Sequence, residues 1–277
     1  VVPILFATMY SLTHNNGAIY WELLPVVIVA GVLFHLGTNI IGEYFDYEKG
    51  VDRKETFGSS RVVVDDLMKP KSALYGGLAC YAAGFALGLI LVYYHGTDML
   101  VLGIIGLIGS MFYTGKPFGF KYIALGDLNV FTFFGPLLVI GAHFSLTGII
   151  DYRLLYISIP IGFLVTAILN ANNIRDIKHD RNAKIKTMAT MMGFEASRLE
   201  YYFLVVGAFI AVILMVIFSA LPYWTLLVLL SLKPALDNIK TMSKASADDV
   251  TPIMMSDATT AQHHLMFGVL YSVGMLI

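Results

Sequence analysis

The sequence predicts an all-α, polytopic membrane protein: nine transmembrane helices around a central cavity capped by loops. Three observations predict it. Of 277 residues, 57% are hydrophobic and only 13% are charged, where soluble domains carry about a quarter. Mean hydropathy is +0.74. The apolar residues fall in runs that approach the roughly 20 needed to cross a bilayer, and the charged residues gather in alternate connections between those runs. Residues 1–277 read as one transmembrane domain. A net charge of -1 gives no bulk field for nucleic acid. The single cysteine, Cys80, excludes an internal disulfide framework and a Cys-rich metal site.

In chain order, the expected spans are 1–12, 19–46, 72–94, 99–113, 125–146, 154–171, 201–220, 222–239 and 264–277. The first and last are expected to be truncated. The opening run has no basic stretch or small-residue cleavage site before it, so it reads as part of a helix and not as a signal peptide. Short connections lie near 13–18, 95–98, 147–152 and 221. Long ones cover 47–71, 114–124, 172–200 and 240–263. Of 18 Lys and Arg residues, all but Arg153 lie in the long set or at the helix ends that feed it. The positive-inside rule then predicts that the long connections are cytoplasmic. Tyr20, Trp21, Tyr152, Tyr223 and Trp224 mark the opposite interface, where amphipathic rings anchor.

Two acidic clusters stand where spans end. On a helix, residues three, four and seven apart share a face. Asn39, Glu43 and Asp46 have that spacing; so do Asn173, Asp176 and Asp180, with Asn172 as an alternative to Asn173. Asp52 follows Gly50 and is expected to reach back from a loop. Charge beside hydrocarbon is expensive without a partner. Mg²⁺ wants about six oxygens and binds through one or two carboxylates plus phosphates and water. Two such rows on one side of the membrane predict a pair of divalent-cation sites that clamp a diphosphate. The two rows, each at the end of a span in one half of the chain, also suggest an internal duplication around a central site. No His-Glu-x-x-His and no EF-hand loop occurs.

The segments Asn39-Ile-Ile-Gly-Glu-Tyr-Phe-Asp46-Tyr-Glu-Lys-Gly-Val-Asp52 and Asn173-Ile-Arg-Asp176-Ile-Lys-His-Asp180-Arg181 resemble the two Asp-rich motifs of the UbiA superfamily of intramembrane prenyltransferases. The segment from Tyr113 to Asp127 resembles the family's connection between its fourth and fifth helices. The resemblance covers nearly the whole chain. It implies Mg²⁺-dependent transfer of a prenyl chain from a prenyl diphosphate to a membrane-soluble acceptor. Asp-Tyr-x-x-Gly-x-Asp followed by Ser60-Arg61-Val62, with Asn-Asn-x-Arg-Asp, looks most like the menaquinone branch, which prenylates 1,4-dihydroxy-2-naphthoate with loss of carbon dioxide. Many relatives carry Asn-Asp where this chain has Gly42-Glu43, and the longer Glu43 arm would shift a metal.

The resulting expectations are specific. Asn39, Glu43, Asp46, Asp52, Asn172, Asp176 and Asp180 are candidate metal ligands. Lys121, Arg61 and Arg175, with Asn39 and Asn173, are candidate diphosphate contacts, Arg as a planar fork and Lys as a point charge. Asp46, Asp176, Lys121 and Tyr113 are the candidate catalytic set, Tyr113 by shielding an allylic cation with its ring face. His35, one turn before Asn39, is either a base or a packed polar residue. The connections 52–69 and 181–195 are expected to close over the site. Substrate partners are a prenyl diphosphate and a lipophilic acceptor in the plasma membrane. Two rivals remain: a glycerol phosphate acceptor, as in archaeal ether-lipid synthesis, and a secondary transporter, which would set its ionisable groups nearer the bilayer midplane.

Overall fold

The computed structural model describes residues 1–14, 17–54 and 61–277. Among these the regular structure is helical, with one isolated parallel bridge between Ile123 and Lys186. Ser60 lies outside the described residues, as does part of the 52–69 connection.

Helix α1 covers Val2–His14 and α2 covers Leu24–Glu48, with a proline in its first turn. That position suits proline because its missing N–H would have no partner there. Helix α3, Pro70–Thr114, also begins on proline and is interrupted at Gly96, at φ 69 and ψ -150. A side chain strains that backbone, so glycine marks the turning point. Contacts along α2 show that the chain reverses there. Before Gly96, Tyr94 meets Tyr20, Gly84 faces Phe34 and Gly77 faces Ile41. After it, Thr114 returns to Gly42. The α2–α3 seam is tight: a Cβ on Gly77 would stand 2.5 Å from Ile41 Cγ1. Small residues let backbones approach in this way within membranes.

Helix α4 (Gly126–Thr132) runs through a π turn at Phe133–Leu137 into α5 (Leu138–Thr147). Gly135 and Pro136 interrupt the regular ladder at the turn. Then come α6 (Leu154–Ile157), α7 (Ile159–Asn182), α8 (Met188–Met192) and α9 (Phe194–Ile217). Thr187 caps α8 in a reciprocal capping box with Thr190. A 3₁₀ helix, Tyr223–Ser231, leads into α10 (Leu232–Met242), and α11 covers Ser256–Leu276.

Helix α7 lies near the centre. The apolar window of the α6–α7 segment is 61% buried, that of α3 only 22%, so α3 is at the rim. The main core joins Phe6 and Tyr10 of α1, Ile161, Leu164 and Ile174 of α7, Tyr201 and Val205 of α9, and Phe267 and Tyr271 of α11.

Among the described residues, five segments are long and apolar enough to cross a membrane: Trp21–Glu48, Pro70–Thr114, Gly126–Thr147, Leu154–Asn182 and Phe194–Ile217. The expected count is nine, and three of the four missing spans have local reasons. Pro70–Thr114 counts once although it doubles back. Helix α1 has only 13 residues. The 223–242 stretch starts as a tighter helix and ends with Lys233, Asp237 and Lys240.

The short connections gather at one end. Tyr20 N–H donates to Leu146 O, His95 Nε2 pairs with Ser145 O, and Tyr10 O–H donates to Asp151 Oδ2 at 2.7 Å. Arg153 grips Asp151 and holds its carboxyl well below the usual carboxylate range. The acidic clusters lie at the opposite end.

Candidate active site

Asp46 is in the last turn of α2 and is buried. Its Oδ2 accepts from Lys121 Nζ at 2.7 Å and its Oδ1 from Tyr122 O–H at 2.9 Å. Both donors sit on a single 3₁₀ turn, Phe120–Tyr122, entered through Gly119 at φ 59. That turn is tied in its turn to the segment after α7. Lys186 N–H donates to Tyr122 O at 3.1 Å, and Ala124 N–H donates to Lys186 O at 2.6 Å. A small apolar cluster of Val51, Tyr122 and Ile185 supports the junction. Three parts of the chain thus meet: the end of α2, the 115–125 connection and the exit from α7.

The electrostatics join the two acidic rows. Burial, and then Asp46, push Asp52 up to about 6, with Glu43 and Asp176 adding to the effect and Lys121 opposing it. Asp180, buried near the end of α7, is within electrostatic reach of Lys121, Asp176 and Asp46, and accepts from Thr187 Oγ1 at 3.4 Å. Burial acts against the charge of Lys121, but Asp46 outweighs it and raises its pKa well above the ordinary lysine value. The same attraction keeps Lys121 charged where it could meet an anion.

Arg175 has a different setting. Its side chain is 2% exposed. Nε and Nη2 donate to the two carboxylate oxygens of Asp176 at 3.0 and 2.9 Å. Nη1 donates to Asp257 Oδ2 at 2.9 Å and to Met254 O at 3.2 Å, and Nη2 also donates to Asn172 Oδ1. The guanidinium therefore braces α7 against the start of α11, and the Asn172 oxygen is part of that brace. Arg61, at φ 57, pairs with Asp65 at 2.9 Å and with Lys54 O, in the 61–69 connection. Asn39 bonds His35 at 3.1 Å, and Asn173 is buried on α7. Tyr113 packs next to Gly126 and is within electrostatic reach of Lys121, Asp127 and Asp46.

Sequence reasoning missed two participants. The sequence reading names only Tyr113 among the aromatics of this segment, yet the place of Tyr122 beside Lys121 is a signal that the turn presents both to one acceptor. Asp257 carries no local signal, because only the fold brings it to a residue 82 positions away.

The residues fit a divalent cation bound through phosphate. Asp46, Asp52, Asp176 and Asp180 lie within electrostatic reach of one another, and these carboxyl groups outnumber their cationic partners Lys121 and Arg175. Among the described residues no three His, Cys, Asp or Glu side chains converge tightly enough to hold a metal alone. Mg²⁺ characteristically takes one or two carboxylates and completes its shell with phosphate and water.

Fold and rim together define a helical membrane protein with an acid-rich head site beneath its longer connections. The chain belongs to the UbiA prenyltransferase family, whose model matches residues 1–275, and it is a prenyltransferase. It is 30% identical over 283 residues to the 1,4-dihydroxy-2-naphthoate octaprenyltransferase of Bacillus subtilis, spanning 100% of this chain and 88% of that protein. Two solved structures share the fold. A digeranylgeranylglyceryl phosphate synthase matches with a TM-score of 0.64 at 16% identity, covering 99% of this chain and 93% of that one. A UbiA homolog from Archaeoglobus fulgidus, bound to DMAPP and Mg²⁺, matches with 0.62 at 12% identity, covering 98% and 94%.

Proposed function

We propose that the protein transfers a prenyl group from a prenyl diphosphate to a membrane-soluble aromatic acceptor resembling 1,4-dihydroxy-2-naphthoate, with Mg²⁺, and releases pyrophosphate. The observation that carries this is the Lys121–Asp46 pair at 2.7 Å, with Asp52 and Asp180 within electrostatic reach of both and Asp176 within reach of Asp52 and Asp180. Asn39, Glu43, Asp46 and Asp52 on one side, and Asp176 and Asp180 on the other, would hold Mg²⁺. Asn172 is left out because its oxygen serves Arg175. The metal supplies charge neutralisation on the leaving diphosphate.

The chain's own groups do the rest. Lys121 turns from Asp46 towards diphosphate oxygens, and Tyr122 keeps the Asp46 carboxylate oriented. Preorganised charge of this type is the main source of stabilisation in many active sites. The allylic C–O bond breaks and its electron pair leaves with the diphosphate. The ring carbon that bears the carboxylate supplies the pair for the new C–C bond; its bond to the carboxylate then breaks, the pair returns to the ring and carbon dioxide leaves. Tyr113 stands beside Lys121 to shield the cation with its ring. Residues 61–69 and the 181–195 connection exclude water during the step.

In this reading the chain crosses the plasma membrane nine times, with the doubled α3 as two spans and the acidic rim on the cytoplasmic side. The full-length resemblance to a naphthoate enzyme favours the aromatic acceptor. The digeranylgeranylglyceryl phosphate synthase is alike in fold only. The test is a product assay with purified protein, Mg²⁺ and geranylgeranyl diphosphate against a panel of acceptors. A prenylated naphthoate product is expected. A prenylated glycerol phosphate alone would move the assignment to the lipid branch.

A further inference from the structure

We propose that His35 is a positioning residue: it fixes the Asn39 amide so that the amide oxygen faces the site cation. The inference rests on the metal role given to Asn39 above.

The two residues are one turn apart on α2 and present one face. Asn39 Nδ2 lies 3.1 Å from His35 Nε2. A carboxamide has an accepting oxygen at one tip and two N–H donors at the other. Mg²⁺ takes oxygen, so the N–H₂ tip has to find an acceptor elsewhere. His35 Nε2 provides it only when that nitrogen carries no proton, which puts the ring proton on Nδ1. The reverse arrangement, with Nε2 donating, would commit the amide oxygen to the imidazole and remove it from the metal.

The ring is itself held. It stands at 89° to Phe134 with centroids 5.5 Å apart. Phe134 belongs to the π turn Phe133–Leu137, where Gly135 and Pro136 break the regular ladder. Such bulges re-aim one side chain without ending the helix. A sequence of supports results: π turn, Phe134, His35, Asn39, metal. Partners of this outer kind set the orientation of a ligand, and losing one typically costs about 10–100-fold in metal affinity.

The test uses the full chain in detergent and needs no turnover. Binding of geranylgeranyl diphosphate, without acceptor, is titrated calorimetrically at stepped Mg²⁺ concentrations. His35→Phe keeps a ring against Phe134 and removes the acceptor; the Mg²⁺ concentration for half-maximal binding should rise roughly tenfold. His35→Gln supplies an oxygen acceptor at that place and should stay near wild type. In an Asn39→Ala background, His35→Phe should add nothing, because it acts through the amide already removed. His35→Leu serves the same comparison if the Phe variant does not fold. A wild-type Mg²⁺ dependence in His35→Phe, with Asn39→Ala shifted, would overturn the positioning role and leave the metal site intact. Additive effects in the double variant would overturn it as well. An unshifted Asn39→Ala would remove the metal role of Asn39 and this proposal with it.

Discussion

Arg175 offers a sharp separation between bracing and substrate binding. Arg175→Met keeps most of the side-chain length and removes the guanidinium. In the folded protein that leaves Asp176 and Asp257 without the cation between them, at N–O distances of 2.9 Å each. Two unit charges about 4 Å apart attract by about 4 kcal/mol at an effective dielectric near 20, before desolvation is counted. Removing one partner of a buried pair costs about 3–5 kcal/mol, since the other charge is left uncompensated. Asp176 and Asp257 retain 21% and 30% side-chain exposure and can recover part of their hydration. The low end, about 3 kcal/mol, is therefore expected. By the scaling for large domains that is roughly 6 °C or more in the midpoint of thermal unfolding. The assay is a melt of detergent-purified protein without Mg²⁺ or substrate. Adding Asp257→Asn to Arg175→Met should recover part of the loss, because one stranded charge is gone. An Arg175→Met variant that melts like wild type, with substrate binding alone weakened, would refute the brace and restore Arg175 as a diphosphate contact.

Other outcomes follow from the same geometry. Asp52 has its pKa raised from 3.8 to about 6. The folded form thus holds a proton that the unfolded chain has already lost, and this carboxyl makes the metal-free fold less stable as pH rises through that window. Mg²⁺ needs the ionised carboxylate, so its affinity should climb up to about pH 6 and then level; Asp52→Asn should flatten the climb in titrations at fixed prenyl diphosphate. On α11, a Cβ at Gly274 would stand 2.5 Å from Trp224 O and 2.6 Å from Thr225 Cα, both backbone, whereas Gly88 has open space. Gly274→Ala should destabilise the fold by the roughly 1–3 kcal/mol typical of overpacking and so lower its melting midpoint, and Gly88→Ala should not.

Much of the site was legible because helical spacing is a local property. Asn39, Glu43 and Asp46 share a face by their intervals alone, and the asymmetry of Lys and Arg put both acidic rows on one side. The Lys121 turn could be placed from its motif, but not its grip on Asp46, 75 residues away. The Arg175 brace was illegible for the same reason: a guanidinium beside acids reads equally as a phosphate fork or an internal tie, and only Asp257 decides between them. Span counting succeeded where runs are long. It left the fold-back at Gly96 and the tight 3₁₀ entry to α10 for the structure to show, since hydropathy does not report where a helix turns or narrows.

The account depends on both acidic rows gripping one magnesium-bound diphosphate. Its most direct measurement is Mg²⁺-dependent affinity for prenyl diphosphate in Asp46→Asn, Asp180→Asn and the double variant, each checked for folding by its melt. Asp180 represents the α7 row because Asp176 also braces Arg175. Each single change should weaken binding at least roughly tenfold, the loss of one good charge-assisted contact, and the double variant should fall well short of the product of the two. Undiminished Mg²⁺-dependent binding in either single variant would contradict a shared site.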